Sequence, residues 1–119
     1  MSVTMLTSKD FTASGAGMDG RADEWLADLL RLLGDPSLLR LLRLLAAGER
    51  NVTRLSNELR LPKPTVNGHL ALLRSAGLIE SRGAGKRVYY SLGGRVRSGN
   101  QGSLQFDANG TSVAIARAA

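Results

Sequence analysis

Residues 61 to 79 read LPKPTVNGHLALLRSAGLI, a polar, proline-bearing entry that turns into an apolar helical pattern. With Val66, Leu70 and Leu73 pointing inward on a 3.6-residue period, Lys63, Pro64, Asn67, Gly68 and Ala71 lie on the outward face and Thr65 at its edge. The side chains in this pattern suit the edges of DNA bases. Asn67 can pair bidentately with adenine, Thr65 can bond a phosphate or touch a thymine methyl, and Lys63 can take guanine or a phosphate. The plain alternatives are solvated helix surface for Asn67 and a helix-start role for Thr65. A second cationic group, Arg82, Lys86 and Arg87, flanks the glycine-rich stretch GAGK, where arginine suits a narrow minor groove. Its plain alternative is a solvated turn. Arg95 and Arg97 are placed to extend it.

Such side chains need rigid elements beneath them. From Ala22 to Leu33, Trp25, Leu26, Leu29, Leu30, Leu32 and Leu33 follow helical spacing, with Asp23 and Glu24 at the end that favours negative charge. Gly34 stops this helix. Asp35 and Pro36 then give an N-cap and first-turn pair for a second helix, Pro36 to Ala47, ended by Gly48. Leucines at 38, 39, 41, 42, 44 and 45 cover more than one of its faces, so core or another subunit must cover it on several sides. Asn51 can cap a third helix, Val52 to Arg60, in which Val52, Leu55 and Leu59 face one way. Pro62 keeps Leu61 out of the helical region, so a turn leads to a fourth helix from Lys63 or Pro64 to Ser75, with Gly77 as its stop. Two helices joined by so short a turn form a helix-turn-helix. LIESRGAGKRVYYSL then reads as two strands, about Leu78 to Arg82 and Arg87 to Leu92, joined by GAGK. The predicted fold is mainly α with a small β wing: a winged helix-turn-helix spanning residues 21–92.

The flanks differ from this pattern. Residues 1–20 show no sustained periodicity and are expected to be a mostly disordered tail, with Met18 a second candidate start. Residues 93–102 form a Gly-rich basic linker, and 103–119 are predicted to be a C-terminal β-hairpin. Asn109-Gly110 is a strong two-residue turn signal, and pairing across it sets Phe106 opposite Val113 and Leu104 opposite Ile115 on one face. Two strands alone are marginal in water, so this face must dock on the body, the wing or a partner subunit.

Composition sets the outer limits. The 119 residues suit one small domain, and 43% hydrophobic content is enough for a single core. Cysteine is absent, which removes disulfides and thiolate metal sites. Arg31, Arg40 and Arg43 interrupt the longest apolar stretches, and the N-terminus lacks a basic start followed by an apolar run, so a cytoplasmic chain without membrane spans is expected. Residues 1–60 carry eight basic and eight acidic side chains, whereas 61–119 carry eight basic and two acidic, so the net charge of +6 lies entirely in the second half. A one-sided positive field is the footprint of a polyanion binder, most often nucleic acid. Nucleophile and base pairs, paired carboxylates and phosphate loops are lacking; GAGK has neither the Walker spacing nor its strand-to-helix setting, so the chain is not expected to be an enzyme.

The stretches GDPSLLRLLRLLAAGE, NVTRLSNELRLPKPTVNGHLALLRSAGLIESR and GKRVYYSL resemble the winged-helix repressors of the arsenic-repressor (ArsR/SmtB) type over roughly Trp25 to Leu92. The resemblance implies a homodimeric DNA-binding transcriptional regulator, usually a repressor released by an effector. It implies an operator with inverted symmetry and a dimer interface involving Trp25, Leu26, Leu29, Leu30 and Leu33 of the first helix. It also places His69 at the edge of the reading helix near the phosphates, with burial and a hydrogen-bonded ring as the alternative.

Three departures from that family matter. Its metal sensors carry a cysteine pair in the third helix or an acid and histidine set in the last, whereas this chain has ERNVTRL and a single histidine. The usual sites for Zn, Cu(I) or As(III) cannot be built; Asp23, Glu24 and Asp28 are more simply first-turn helix charges. No cofactor is expected, and the effector is unknown. Gly68 stands where the family usually has a long side chain, leaving close approach of the helix to DNA or drift at an exposed site as explanations. Finally, a hairpin replaces the usual last helix. The competing reading is a winged-helix module that binds another protein through its first two helices and has weak or no specific DNA binding.

Overall fold

A computed structural model describes residues 2–7, 20–99, 102–108 and 110–116. Four helices, α1 (Gly20–Leu33), α2 (Pro36–Ala47), α3 (Val52–Leu59) and α4 (Lys63–Ser75), are joined by short turns. The predicted capping is present: the Asp35 side chain accepts from the Ser37 N–H at 2.9 Å and that of Asn51 from the Arg54 N–H at 2.9 Å. Helix α3 ends one residue earlier than predicted because Arg60 adopts a left-handed conformation, with φ 57°. The turn that follows is fastened by the Ser56 hydroxyl donating to the Leu61 carbonyl at 2.5 Å.

Strand β2 (Arg50–Asn51) precedes α3, and β3 (Ile79–Ala84) and β4 (Arg87–Leu92) form the wing; the sheet order is β2-β4-β3. The wing is longer and its turn tighter than predicted. Gly83 and Ala84 pair with Val88 and Arg87, leaving Gly85, at φ +65°, and Lys86 to make the reversal.

A second, four-stranded sheet of order β1-β7-β6-β5 contains β1 (Ser2–Thr7), β5 (Val96–Ser98), β6 (Leu104–Ala108) and β7 (Thr111–Ala116). The predicted register holds, with Leu104 opposite Ile115 and Phe106 opposite Val113. Asn109 lies outside the described residues. Two expectations are corrected here. Residues 2–7 of the expected disordered tail pair antiparallel with β7, since an uncharged, β-branched stretch finds a strand edge to complete; residues 8–19 lie outside the described residues. The expected linker 93–102 contains β5, whose Val96 pairs with Phe106.

One continuous core unites both parts. Leu38, Leu41, Leu42 and Leu45 of α2 and Leu55, Leu59, Val66, Leu70 and Leu73 of the helix-turn-helix are buried in the same cluster as Val96, Leu104, Phe106, Val113 and Ile115. The apolar face of the C-terminal sheet therefore docks on the helical body. Arg43 of α2 adds a polar tie, donating to the Gly102 carbonyl at 3.1 Å.

Candidate nucleic-acid interface

Helix α4 divides as its periodicity predicts. Val66, Leu70 and Leu73 are buried, while Lys63, Pro64, Thr65, Asn67, Gly68 and Ala71 are exposed. Pro62, at φ −60° and ψ 147°, directs the chain into the helix without a side-chain cap, so the first turn leaves its backbone N–H groups unclaimed by a capping side chain. Gly68 has open space: a Cβ built there meets nothing within 4 Å. The protein's own packing therefore gives no reason for glycine at this position. His69 is half-buried, and its side chain makes no hydrogen bond among the described residues.

Between α3, α4 and the wing lies an open groove of about 770 Å³, lined by Thr53, Arg54 and Asn57 of α3, Asn67 of α4, and Lys86, Arg87 and Val88 of the wing. The groove brings together Asn67, Lys86 and Arg87, three of the predicted site residues. Lys86 and Arg87 are exposed and have no acidic partner among the described residues. Thr53 and Asn57 were not among the predicted contacts. Their signal was available: they sit four apart on α3, off the stripe of Leu55 and Leu59, and form a small polar face.

Arg82 behaves differently from the other wing cations. Its Nε and Nη2 donate to the two carboxylate oxygens of Glu49 at 2.7 and 2.6 Å, and its guanidinium lies 5.5 Å from the centre of the Tyr89 ring. The hydrogen bond from Arg82 holds the Glu49 carboxyl below its usual range, and the same bond raises the guanidinium's value. Arg97 is also engaged, with Nε 3.7 Å from Asp107 Oδ2.

The expected interface residues of α1 separate. Leu29 is buried in the chain's own core, in the same cluster as the α2 leucines, which removes it from the set available to a partner. Trp25, Leu26 and Leu33 are partly buried against that core, and Leu30 is 38% exposed. Asp28 pairs with Arg31 on the polar face. Among the described residues no group of three or more metal-ligating side chains is close enough to hold an ion, and no helix is long and apolar enough to cross a membrane.

Comparison with known proteins agrees with this geometry. Residues 35–81 match the bacterial regulatory protein, arsR family. A helix-turn-helix transcriptional regulator of Methanocaldococcus jannaschii is 37% identical over 76 residues, covering 62% of this chain and 85% of the relative. The chain belongs to the ArsR family. Among solved structures, the crystal structure of the transcriptional repressor BigR from Xylella fastidiosa superposes with TM-score 0.56 at 36% identity, covering 64% of this chain and 76% of that one. The homodimeric winged helix-turn-helix DNA-binding domain of a Mycobacterium bovis protein gives 0.59 at 33% identity, covering 64% and 72%. The relative and the two structures each leave a little over a third of this ArsR-family chain outside the match. The family consists of DNA-binding transcriptional regulators, and the relatives are regulators rather than enzymes.

Proposed function

We propose that this chain is a homodimeric, sequence-specific transcriptional repressor whose two α4 helices enter successive major grooves of an inverted-repeat operator. The observation that carries this reading is the shared groove: Asn67 of the reading helix opens onto the same cleft as Lys86 and Arg87, cations with no acidic partner among the described residues. Asn67 reads a base edge, with Lys63 and Thr65 beside it. Lys86 and Arg87 follow the backbone or a minor groove, and Thr53 and Asn57 supply phosphate contacts from α3. Gly68 lets the α4 backbone approach the duplex, and His69 supports the helix edge. The dimer forms around α1 through Trp25, Leu26, Leu30 and Leu33.

The reading requires no cofactor, and it excludes response to soft metals through the family's usual sites, because the chain has no cysteine and one histidine. A chain of this kind works in the cytoplasm, where its DNA is. The test is selection of binding sites from random duplexes, followed by titration at two salt concentrations. A symmetric site bound by a dimer, with affinity falling steeply in salt, supports the reading. Absence of binding at low salt ends it.

A further inference from the structure

Arg82 is exposed, basic and in the wing, which by composition alone makes it a phosphate contact. Its surroundings argue for a different role. In the sheet order β2-β4-β3, Glu49 immediately precedes one outer strand and Arg82 belongs to the other, so the pair spans the full width of the sheet. Tyr89 of the central strand lies between them. It is in register with Asn51 on one side and Arg82 on the other, and the Arg82 guanidinium crosses over its ring.

At its base the wing is seated on the core through Ile79, Tyr90 and Leu92, but its backbone ladder to the rest of the chain is short. Strand β2 contributes only two paired residues, Arg50 with Tyr90 and Asn51 with Tyr89, so few ladder bonds hold the wing to the rest of the chain. Asn51 is also the N-cap of α3. A continuous path therefore runs from the wing through Arg82 and Glu49 to β2, its capping asparagine and the helix-turn-helix. We infer that Glu49, Arg82 and Tyr89 form a staple that sets the position of the wing, and that Arg82 is a positioning residue for DNA binding and not a phosphate contact. The inference rests on the DNA-binding reading above.

The staple and simple electrostatics predict opposite signs for one substitution. Glu49 lines the same groove as Asn67, Lys86 and Arg87, so its carboxylate faces the place proposed for a polyanion. If charge alone mattered, Glu49→Gln would remove a repulsion and free Arg82, tightening the complex. With a staple, the same change releases the wing and weakens it.

The experiment uses the full chain and the duplex selected from random DNA. Glu49→Gln and Arg82→Gln are each measured for amide hydrogen exchange over residues 79–92 without DNA, and for binding across a salt series. Both variants should exchange faster in the wing and lose affinity about two- to fivefold, the size of one exposed ion pair. Their salt dependence should stay as in the parent, whereas Arg87→Gln should reduce the log-log slope by about 0.9. The charge swap, Glu49→Arg with Arg82→Glu, should restore both wing exchange and affinity. Tighter binding by Glu49→Gln, or a slope change in Arg82→Gln matching that of Arg87→Gln, overturns the inference. Should the parent chain bind no duplex at low salt, the regulator reading fails on its own. The exchange measurement then still decides the staple: unchanged rates overturn it and faster rates support it.

Discussion

Arg50 and Glu58 are joined by hydrogen bonds from Arg50 Nε to the two carboxylate oxygens, at 3.0 and 3.2 Å, and the arginine's side chain is only 10% exposed. The same guanidinium donates through Nη1 to the Leu44 carbonyl and, at 2.6 Å, to that of Gly48. One side chain therefore holds the end of α2 and the last turn of α3 together. Arg50→Ala leaves two carbonyls and part of a carboxylate without their donor, and should lower stability by about 2 kcal/mol. Urea unfolding checks this; a loss within 0.5 kcal/mol, about the noise of surface substitutions, would mean that water replaces the guanidinium.

Acid should destabilise the fold through identifiable carboxyls. At Glu58, burial pushes the carboxyl up, but hydrogen bonds from Arg50 and Arg54 outweigh it and the net direction is down. At Asp107, hydrogen bonds from Ser112 and Gln105 hold the value down against burial, with help from the Arg97 charge. A folded value below the unfolded one means that the unfolded chain binds protons first as pH falls. Their contribution is thus full above the ordinary carboxylate range and is lost as pH drops through the lower folded values. Unfolding midpoints measured from pH 7 downward should stay level at first and then fall, and Ser112→Ala should make that fall shallower.

Base reading and phosphate binding should separate by variant. Asn67→Ala should reduce discrimination between the selected operator and its single-base variants by about 1–3 kcal/mol at one position, while Lys86→Ala and Arg87→Ala weaken all duplexes alike. Competition titrations against an operator series measure both. An equal loss on every sequence for Asn67→Ala would remove it as a base reader.

Two glycines should respond in opposite directions to alanine. A Cβ at Gly93 would stand 2.9 Å from the Gly77 carbonyl oxygen and 3.2 Å from the Leu78 backbone carbon, where no flexible side chain can yield. Gly93→Ala should therefore destabilise by about 1–3 kcal/mol. Gly68→Ala meets open space in mid-helix and should stabilise the free protein by about 1 kcal/mol. Thermal melts of the two variants test the pair. If Gly68→Ala is also weaker on DNA, the glycine serves the approach to the duplex.

Phe106 tests whether the C-terminal sheet belongs to the fold. It is fully buried, opposite Val113 and Val96, in the same core as the α2 leucines. Phe106→Ala should lower stability by about 3–5 kcal/mol and melt in one transition with the helices. Separate transitions would make the sheet an independent appendage.

Local chemistry made much of this chain legible in its sequence. Helix stops and caps at Gly34, Asp35, Gly48, Asn51 and Gly77 act within a few residues, as does the stripe of Val66, Leu70 and Leu73, so four helices and the exposed face of α4 followed directly. The Leu104–Ile115 and Phe106–Val113 register was fixed by a turn signal and alternation. Tertiary structure alone decided what depends on chain segments far apart. A β-strand at Ser2–Thr7 exists because β7, more than a hundred residues later, offers it an edge. Leu29 became core and Leu30 surface according to where α2 packs. Arg82 looked like its neighbours Lys86 and Arg87, and nothing near it in sequence reveals Glu49, 33 residues earlier, as its partner. Periodicity reports which face of an element is apolar, but the partner of a charge is set by where two elements meet.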